Sequence, residues 1–203
     1  MNTNMNQKRS KDEEASDAMK VIFNYNNIFF SFFYDDATAC THRSREYAMN
    51  YVYSGEMVLD NGREQIHVGK GECVFIPRDH HVSFLKKACD GERYCGIFLM
   101  FTRNFLREMY GKLPRNSFSA DLPKLEPGVI KLPRTAEITS LFSSMTPYFD
   151  ANVKPQDDLM HLKLQEGLLA LLHIDPRFAP TLFDFNEPWK IDIIDFMNKN
   201  YMY

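Results

Sequence analysis

Short runs of aromatic and β-branched residues recur between Met19 and Phe101, and this pattern limits the fold more than any other feature of the sequence. Such residues favour strands because they pack well on a pleated surface. Turn signals separate the runs, among them Asn61-Gly62 and Asp90-Gly91, where Asn and Gly tolerate positive φ. We therefore predict an antiparallel sandwich or barrel, with a two-residue hairpin at Asn61-Gly62. The predicted strands are 20–25, 28–34, 47–53, 56–60, 63–68, 72–76, 81–85 and 93–101.

Beyond Phe101 the apolar residues recur at the three- and four-residue spacing of helices. Thr102 is placed to cap a short helix that Gly111 ends, and a second helix is predicted from Thr135. A third helix is predicted over Gln156–His173. It is apolar on every side between Leu168 and Leu172, so we expect it to be covered on two sides.

A linking segment from Phe178 to Phe185 and an amphipathic helix from Asn186 complete the pattern. The last helix runs to Tyr203 with an apolar face ready for a partner, which leads us to expect that the sequence is part of a longer chain. The polar stretch Met1–Asp17 predicts a disordered tail, without the apolar region of a secretory signal.

Charge and cysteine usage exclude several classes of protein. The net charge is −3, from 24 basic and 27 acidic residues, whereas a chain that neutralises phosphates normally carries a basic surplus. The four cysteines form no C-x-x-C pair, which is typical of buried thiols in a reducing compartment. No stretch is long and apolar enough for a membrane span. We expect a cytoplasmic protein that does not itself bind DNA specifically.

The order of three segments resembles the AraC family of transcription regulators. The first, roughly residues 46–101, carries Gly71, Pro77 and His81 and is similar to the family's cupin domain, although it fits the second cupin motif loosely. The second is the leucine-rich helix around 163–172, and the third, 188–201, looks like the first helix of the family's DNA-binding domain. The chain also looks like a branch of the family whose activators are governed by partner proteins rather than sugars.

The resemblance implies a fold, a division into domains and a function. The fold is mainly β with α, a cupin-like antiparallel β-barrel followed by C-terminal dimerisation helices. The implied function is effector sensing and dimerisation, controlling DNA binding by a helix-turn-helix domain that the given sequence lacks. The division is 1–18 for the tail, 19–130 for the sensing barrel, 131–185 for the helical segment and 186–203 for the start of the DNA-binding domain.

An aromatic face of the predicted barrel is the candidate site for a small-molecule effector. Barrel interiors that hold ligands are mostly apolar with a few placed polar groups, and tyrosines provide both. A solid, fully packed barrel is an equally good interpretation. The family's sugar-sensing residues are absent, since Ser54 and Phe98 stand at the matching positions. The candidate ligand-binding residues are Tyr51, Tyr53, Phe75, His81, Phe84 and Phe98.

The third helix is the candidate dimer interface, because its all-round apolar stretch exceeds what one barrel face covers. Ordinary packing within one chain is the competing interpretation. The expected partners are a second copy of the chain and an unknown effector or regulatory protein. The candidate interface residues are Leu164, Leu168, Leu171 and Leu172.

We predict no metal, no cofactor and no catalytic residues. A metal-binding cupin needs two His and a Glu in its first motif, and the stretch Glu46–Gly55 contains no His. A structural hydrogen bond at a strand edge is the simpler role for His81. The alternative function, from another class, is a stand-alone metal-dependent cupin enzyme.

Overall fold

The computed structural model describes residues 20–33, 37–114, 122–150 and 155–185. The predicted tail and the predicted last helix from Asn186 lie outside these ranges. The strands are β1 Lys20–Tyr25, β2 Ile28–Phe33, β3 Ala37–Ser44, β4 Tyr47–Ser54, β5 Glu56–Asp60, β6 Gln65–Val68, β7 Cys73–Ile76, β8 His80–Lys87, β9 Cys95–Phe101 and β10 Ile130–Leu132. The helices are α1 Arg103–Lys112, α2 Ala136–Ser143, α3 Pro147–Asp150, α4 Asp157–Ile174 and α5 Phe178–Leu182.

Two antiparallel sheets form the body of the molecule. One has six strands in the order β1-β2-β9-β4-β7-β10, and the other has four in the order β3-β8-β5-β6. No hydrogen-bonded pair among the described strands closes the two sheets into one barrel. The prediction of a mainly β fold with C-terminal helices is confirmed, but the described strands form two stacked sheets in place of a closed barrel, and β10 follows α1 in the chain.

The six-stranded sheet is buried on both faces, which is why β4 is buried from Tyr47 through Val52. Alternate residues such as Ala48 and Val52 pack in one apolar cluster with the four-stranded sheet. The residues between them, such as Met49 and Tyr51, pack in a second cluster with the helices. We call these the inner face and the helix face of the six-stranded sheet.

Three turns show how local chemistry sets the strand boundaries. Asn26 and Asn27 both have positive φ and join β1 to β2 in a two-residue hairpin. The predicted two-residue hairpin at Asn61-Gly62 is wrong, because β5 ends at Asp60 and β6 begins at Gln65. The Asn61 side chain accepts hydrogen bonds from the backbone N–H groups of Arg63 and Glu64, at 2.9 and 3.0 Å, and so stabilises a wider loop.

The helices were predicted closely, with one wrong end. Thr102 caps α1 by accepting a hydrogen bond from the N–H of Phe105, and Thr135 caps α2 in the same way. Gly111 does not end α1, which continues through Lys112 to a cap at Leu113. The sequence patterns missed β3, β10, α3 and α5. Among the described residues no helix is long and apolar enough to cross a membrane.

Candidate functional sites on the sheet and on helix α4

The space between the two sheets holds a small set of buried polar side chains in an apolar surround. Among the described residues, the buried polar or charged side chains are those of Ser31, Asn50 and Lys86. Asn50 lies on the inner face between Ala48 and Val52, and Lys86 follows the inward-pointing Phe84 on β8. Buried polar groups need partners, so this interior is chemically different from a purely packed core.

Asn50 is fully buried and only half satisfied. Its Nδ2 donates to the carbonyl oxygen of Ile97 at 3.2 Å, while its Oδ1 has no hydrogen-bond partner. An unsatisfied buried acceptor costs about 1–3 kcal/mol. The side-chain oxygen of Asn50 is therefore an acceptor between the sheets that a hydrogen-bond donor would stabilise.

Lys86 brings a positive charge to the same interior. Its Nζ lies 5.1 Å from the ring centre of Tyr94 and 4.8 Å from that of Phe98. Ring faces attract cations, and the effect grows when water is excluded. Phe98 also meets Phe84 edge to face, with ring centres 5.9 Å apart. The space between the two sheets thus combines an amide acceptor, a cation and aromatic side chains.

The predicted ligand-binding residues are not brought together. Phe84 and Phe98 lie between the sheets, whereas Tyr51, Tyr53 and Phe75 lie on the helix face. His81 is exposed on β8, next to the inward-pointing Val82. The expectation of one shared cavity is therefore wrong. The sequence shows the alternation of side chains along each strand but does not show that both faces are buried.

The tyrosines of β4 hold helices against the sheet. Tyr51 stacks on Phe142 of α2, with ring centres 4.5 Å apart, and the Tyr53 hydroxyl donates to the backbone carbonyl of Phe142. The Tyr47 hydroxyl donates to the carbonyl of Thr181 in α5 at 2.8 Å. Burial raises the pKa of Tyr53, which keeps its hydroxyl protonated as a donor. These residues fix the helices and do not line an open cavity.

One side of α4 packs into the core of its own chain. Leu164, Leu168 and Leu171 are buried there. A methyl group added at Gly167 would lie only 3.0 Å from Cδ2 of Leu99, so the helix backbone approaches the sheet closely. The three buried leucines are not available to a second chain in this structure, and predicting them as an interface was wrong. Leu172, the fourth candidate, is partly buried at the edge of the same cluster.

The opposite side of α4 carries exposed leucines. Leu159, Leu162 and Leu169 are 44%, 56% and 36% exposed. Their spacing of three and seven residues places them on one face of the helix. We call Leu159, Leu162, Leu169 and the partly buried Leu172 the leucine stripe. The heptad spacing of the first three was visible in the sequence, but the denser leucines at 164–172 masked it.

The comparison with known protein families decides which class of protein carries these features. The sequence matches the family described as "ExsA N-terminal regulatory domain" over residues 47–179, more than half of the chain. The chain belongs to this family. It is therefore a regulatory domain of the AraC-family regulators, as the order of its sequence motifs indicated.

Solved structures share the fold of this ExsA-type regulatory domain. Apo ToxT from Vibrio cholerae matches with a TM-score of 0.62 and 7% identity, over 86% of this chain and 65% of that chain. The AraC-like transcriptional activator CuxR matches with a TM-score of 0.50 and 10% identity, over 76% of this chain and 54% of that chain. The domain thus spans between half and two thirds of the length of these regulators. No curated protein matches the sequence.

Two histidines of the ExsA-type domain, His67 and His161, each pair with one carboxylate. His67 Nδ1 lies 2.6 Å from Glu56 Oε1, and His161 Nε2 lies 3.2 Å from Glu108 Oε1. Within residues 20–33, 37–114, 122–150 and 155–185 no three His, Cys, Asp or Glu side chains are grouped to hold a metal ion. Burial raises the pKa of the Cys73 thiol, which disfavours the thiolate that a metal or a nucleophilic role requires.

Proposed function

We propose that this domain pairs two chains of an AraC-family regulator through the leucine stripe of α4 and holds an effector between its two sheets. In the cytoplasm, these two properties would control how helix-turn-helix units beyond residue 203 meet DNA. The division into a sensing part over 19–130 and a helical part over 131–185 belongs to the same proposal, although β10 spans that boundary. The exposed leucine stripe is the observation that carries the proposal.

The stripe is self-complementary, which is what a twofold dimer requires. Antiparallel pairing about an axis between Gln165 and Glu166 places Leu162 opposite Leu169 and Leu159 opposite Leu172. The same axis places the Asp158 carboxylate at one helix end opposite His173 at the other. Each leucine of the stripe meets a leucine, and each helix end meets an opposite or neutral partner. A second copy of α4 is therefore the partner that we propose for this apolar surface, with Glu166 near the axis paired to Lys163 of its own chain.

Sedimentation of paired variants tests the dimer. Leu162→Glu combined with Leu169→Glu puts four carboxylates into the apolar contact of the dimer and should give monomers that unfold cooperatively, at the melting temperature that the wild type has when it is diluted to monomers. Leu85→Glu is the matched control, because Leu85 is also 36% exposed but lies on the four-stranded sheet. It should leave the dimer intact. A monomeric wild type, or a double variant that still dimerises, would contradict the proposal.

The effector site rests on the unpartnered Oδ1 of Asn50 and on the neighbouring aromatic walls. A small molecule with an apolar body and one hydroxyl or amide donor satisfies both features. Asn50→Leu removes the unsatisfied acceptor together with the Nδ2 hydrogen bond to Ile97, so the free energy of unfolding should change by only about 1 kcal/mol or less. It should also abolish any rise in melting temperature that hydroxylated aromatic or aliphatic compounds give the wild type. If no such compound stabilises the wild type, the interior is solid and the domain only pairs chains.

The family match does not favour the alternative of a metal-dependent cupin enzyme, and we propose that the domain is not an enzyme. Elemental analysis of the purified protein separates the two functions. A regulatory domain should contain less than stoichiometric iron, zinc and manganese. About one such ion per chain, lost in the His81→Ala variant, would support the enzyme instead.

A further inference from the structure

The segment Phe183–Phe185, which we call the connector, follows α5 and is held by side chains from distant parts of the chain. Arg78, just after β7, donates from Nη2 to the carbonyl oxygen of Asp184 at 3.4 Å. Arg103, the first residue of α1, donates from Nη2 to the carbonyl oxygen of Phe185 at 3.0 Å. Two guanidinium groups thus hold consecutive backbone carbonyls of a segment outside the regular helices and strands.

Further contacts come from the same face of α1. Arg107 and Tyr110 lie one and two turns after Arg103, so the three side chains project together. The Arg107 guanidinium carbon lies 5.7 Å from the ring centre of Phe185. The Tyr110 ring contacts the rings of both connector phenylalanines, at 5.3 and 5.8 Å. Each phenylalanine of the connector therefore has an aromatic partner on α1.

An ion pair between Lys124 and Asp184 closes the other side of the connector. We call Arg78, Arg103, Arg107, Tyr110 and Lys124 the connector clamp. Its five members come from the β7–β8 turn, from α1 and from the segment before β10. The connector is therefore held from several sides, and contacts on several sides are needed to fix the direction of a chain.

The clamp is tied to the start of β4. The carboxylate of Glu46 accepts a hydrogen bond from the backbone N–H of Arg103 and lies near the charges of Arg78 and Arg103, while burial raises its pKa. Arg78 also lies over the ring of Tyr47, at 5.3 Å from its centre. Because β4 also carries Asn50 on the inner face, one strand joins the effector site to the clamp.

The guanidinium group of Arg103 does not make all the hydrogen bonds it could. Its Nε is buried and has no hydrogen-bond partner, although its Nη2 is bonded. An unsatisfied buried donor is unfavourable, which weakens the closed clamp relative to a fully bonded one. A contact that switches between a closed and an open arrangement must be only moderately stable, because a small change in free energy must be able to open it.

We propose that the connector clamp fixes the direction in which the chain leaves the domain after Phe185, and that displacement of the start of β4 opens it. The clamp is then the element through which the sensing sheet acts on the rest of the chain. This inference rests on the proposed function, because an exit direction carries a signal only in a regulatory domain.

Limited proteolysis of the 203-residue chain tests the clamp, with the cleavage rates after Phe183 and Phe185 followed by mass spectrometry. Chymotrypsin should cleave at these sites about tenfold faster in Arg103→Ala/Arg107→Ala than in the wild type, because cleavage follows local opening. Arg134→Ala is the matched control. Arg134 also donates to a backbone carbonyl, that of Lys70, but lies away from the connector, so its loss should not alter these rates.

Two further variants separate charge from geometry and a static contact from a coupled one. Arg103→Lys keeps the charge but lacks the guanidinium fork, so it should resemble Arg103→Ala if the hydrogen bond to Phe185 matters. Glu46→Gln should speed the same cleavages, because it removes the negative charge that lies beside Arg78 and Arg103 at the start of β4. Melting temperatures identify any variant that is unfolded rather than unclamped.

The outcomes are distinct. Wild-type cleavage rates in Arg103→Ala/Arg107→Ala would overturn the clamp itself. Fast cleavage in that variant with wild-type rates in Glu46→Gln would overturn the coupling to β4. The clamp variants should remain dimeric in sedimentation. A monomeric wild type would count against the proposed function and leave the cleavage result standing.

Discussion

The two faces of α4 are both rich in leucine, yet they have different roles in the structure. Leu164, Leu168 and Leu171 are sealed against the helix face of the sheet, whereas Leu162 and Leu169 face outward. Hydrophobicity alone does not tell them apart, because an all-round apolar helix only requires cover on more than one side. The comparison teaches that the chain covers the denser leucine face itself and leaves the sparser, heptad-spaced face exposed, where we propose that a second copy binds.

The largest effect that sharpens this comparison concerns two adjacent leucines. Leu168→Ala should lower the free energy of unfolding by about 2–5 kcal/mol, because a fully buried side chain leaves a cavity. Leu169→Ala should change it by about 0.5 kcal/mol or less at concentrations where the chain is monomeric. Urea denaturation at low protein concentration measures both. Equal losses at the two positions would show that the inner and outer faces are assigned wrongly.

The overall order of strands and helices was predictable because it depends on local chemistry. The caps at Thr102 and Thr135 and the strands up to Phe101 other than β3 are properties of neighbouring residues, and the structure confirms them. Which face of each strand or helix packs against which neighbour was not predictable in the same way. Whether Tyr51 faces a cavity or a helix depends on Phe142, which lies 91 residues away in the chain. The burial of Leu168 likewise depends on long-range packing.

A smaller effect tests how firmly α2 is held against β4. Tyr53→Phe removes a hydrogen bond to the carbonyl of Phe142 and should lower the free energy of unfolding by about 1 kcal/mol. Tyr51→Phe keeps the stacked ring and should cost less, because the Tyr51 hydroxyl makes no hydrogen bond to another described residue. Thermal unfolding of the two variants gives the comparison. A larger loss for Tyr51→Phe would contradict the role given to the Tyr53 hydroxyl.

The smallest expected effect is a pH dependence at the contact between α1 and α4. Glu108 accepts hydrogen bonds from Lys112 and then from His161 of α4, and these interactions lower its pKa from 4.5. Its contribution to stability is therefore fully present above pH 4.5 and is lost as the pH falls through the lowered pKa. Glu108→Gln should be slightly less stable than the wild type at neutral pH, and the difference should vanish in acid. A difference that grows in acid would show that the carboxylate is not held in its charged form.

The pairing of two chains through the outer face of α4 is tested most directly by isotope-filtered NMR. A mixture of leucine-methyl-labelled and unlabelled chains reports contacts between subunits alone. We expect intermolecular nuclear Overhauser effects at the methyl groups of Leu162 and Leu169 and none at those of Leu164, Leu168 and Leu171. Intermolecular effects at the three inner leucines, or at no leucine of α4 in a sample that sediments as a dimer, would contradict the account.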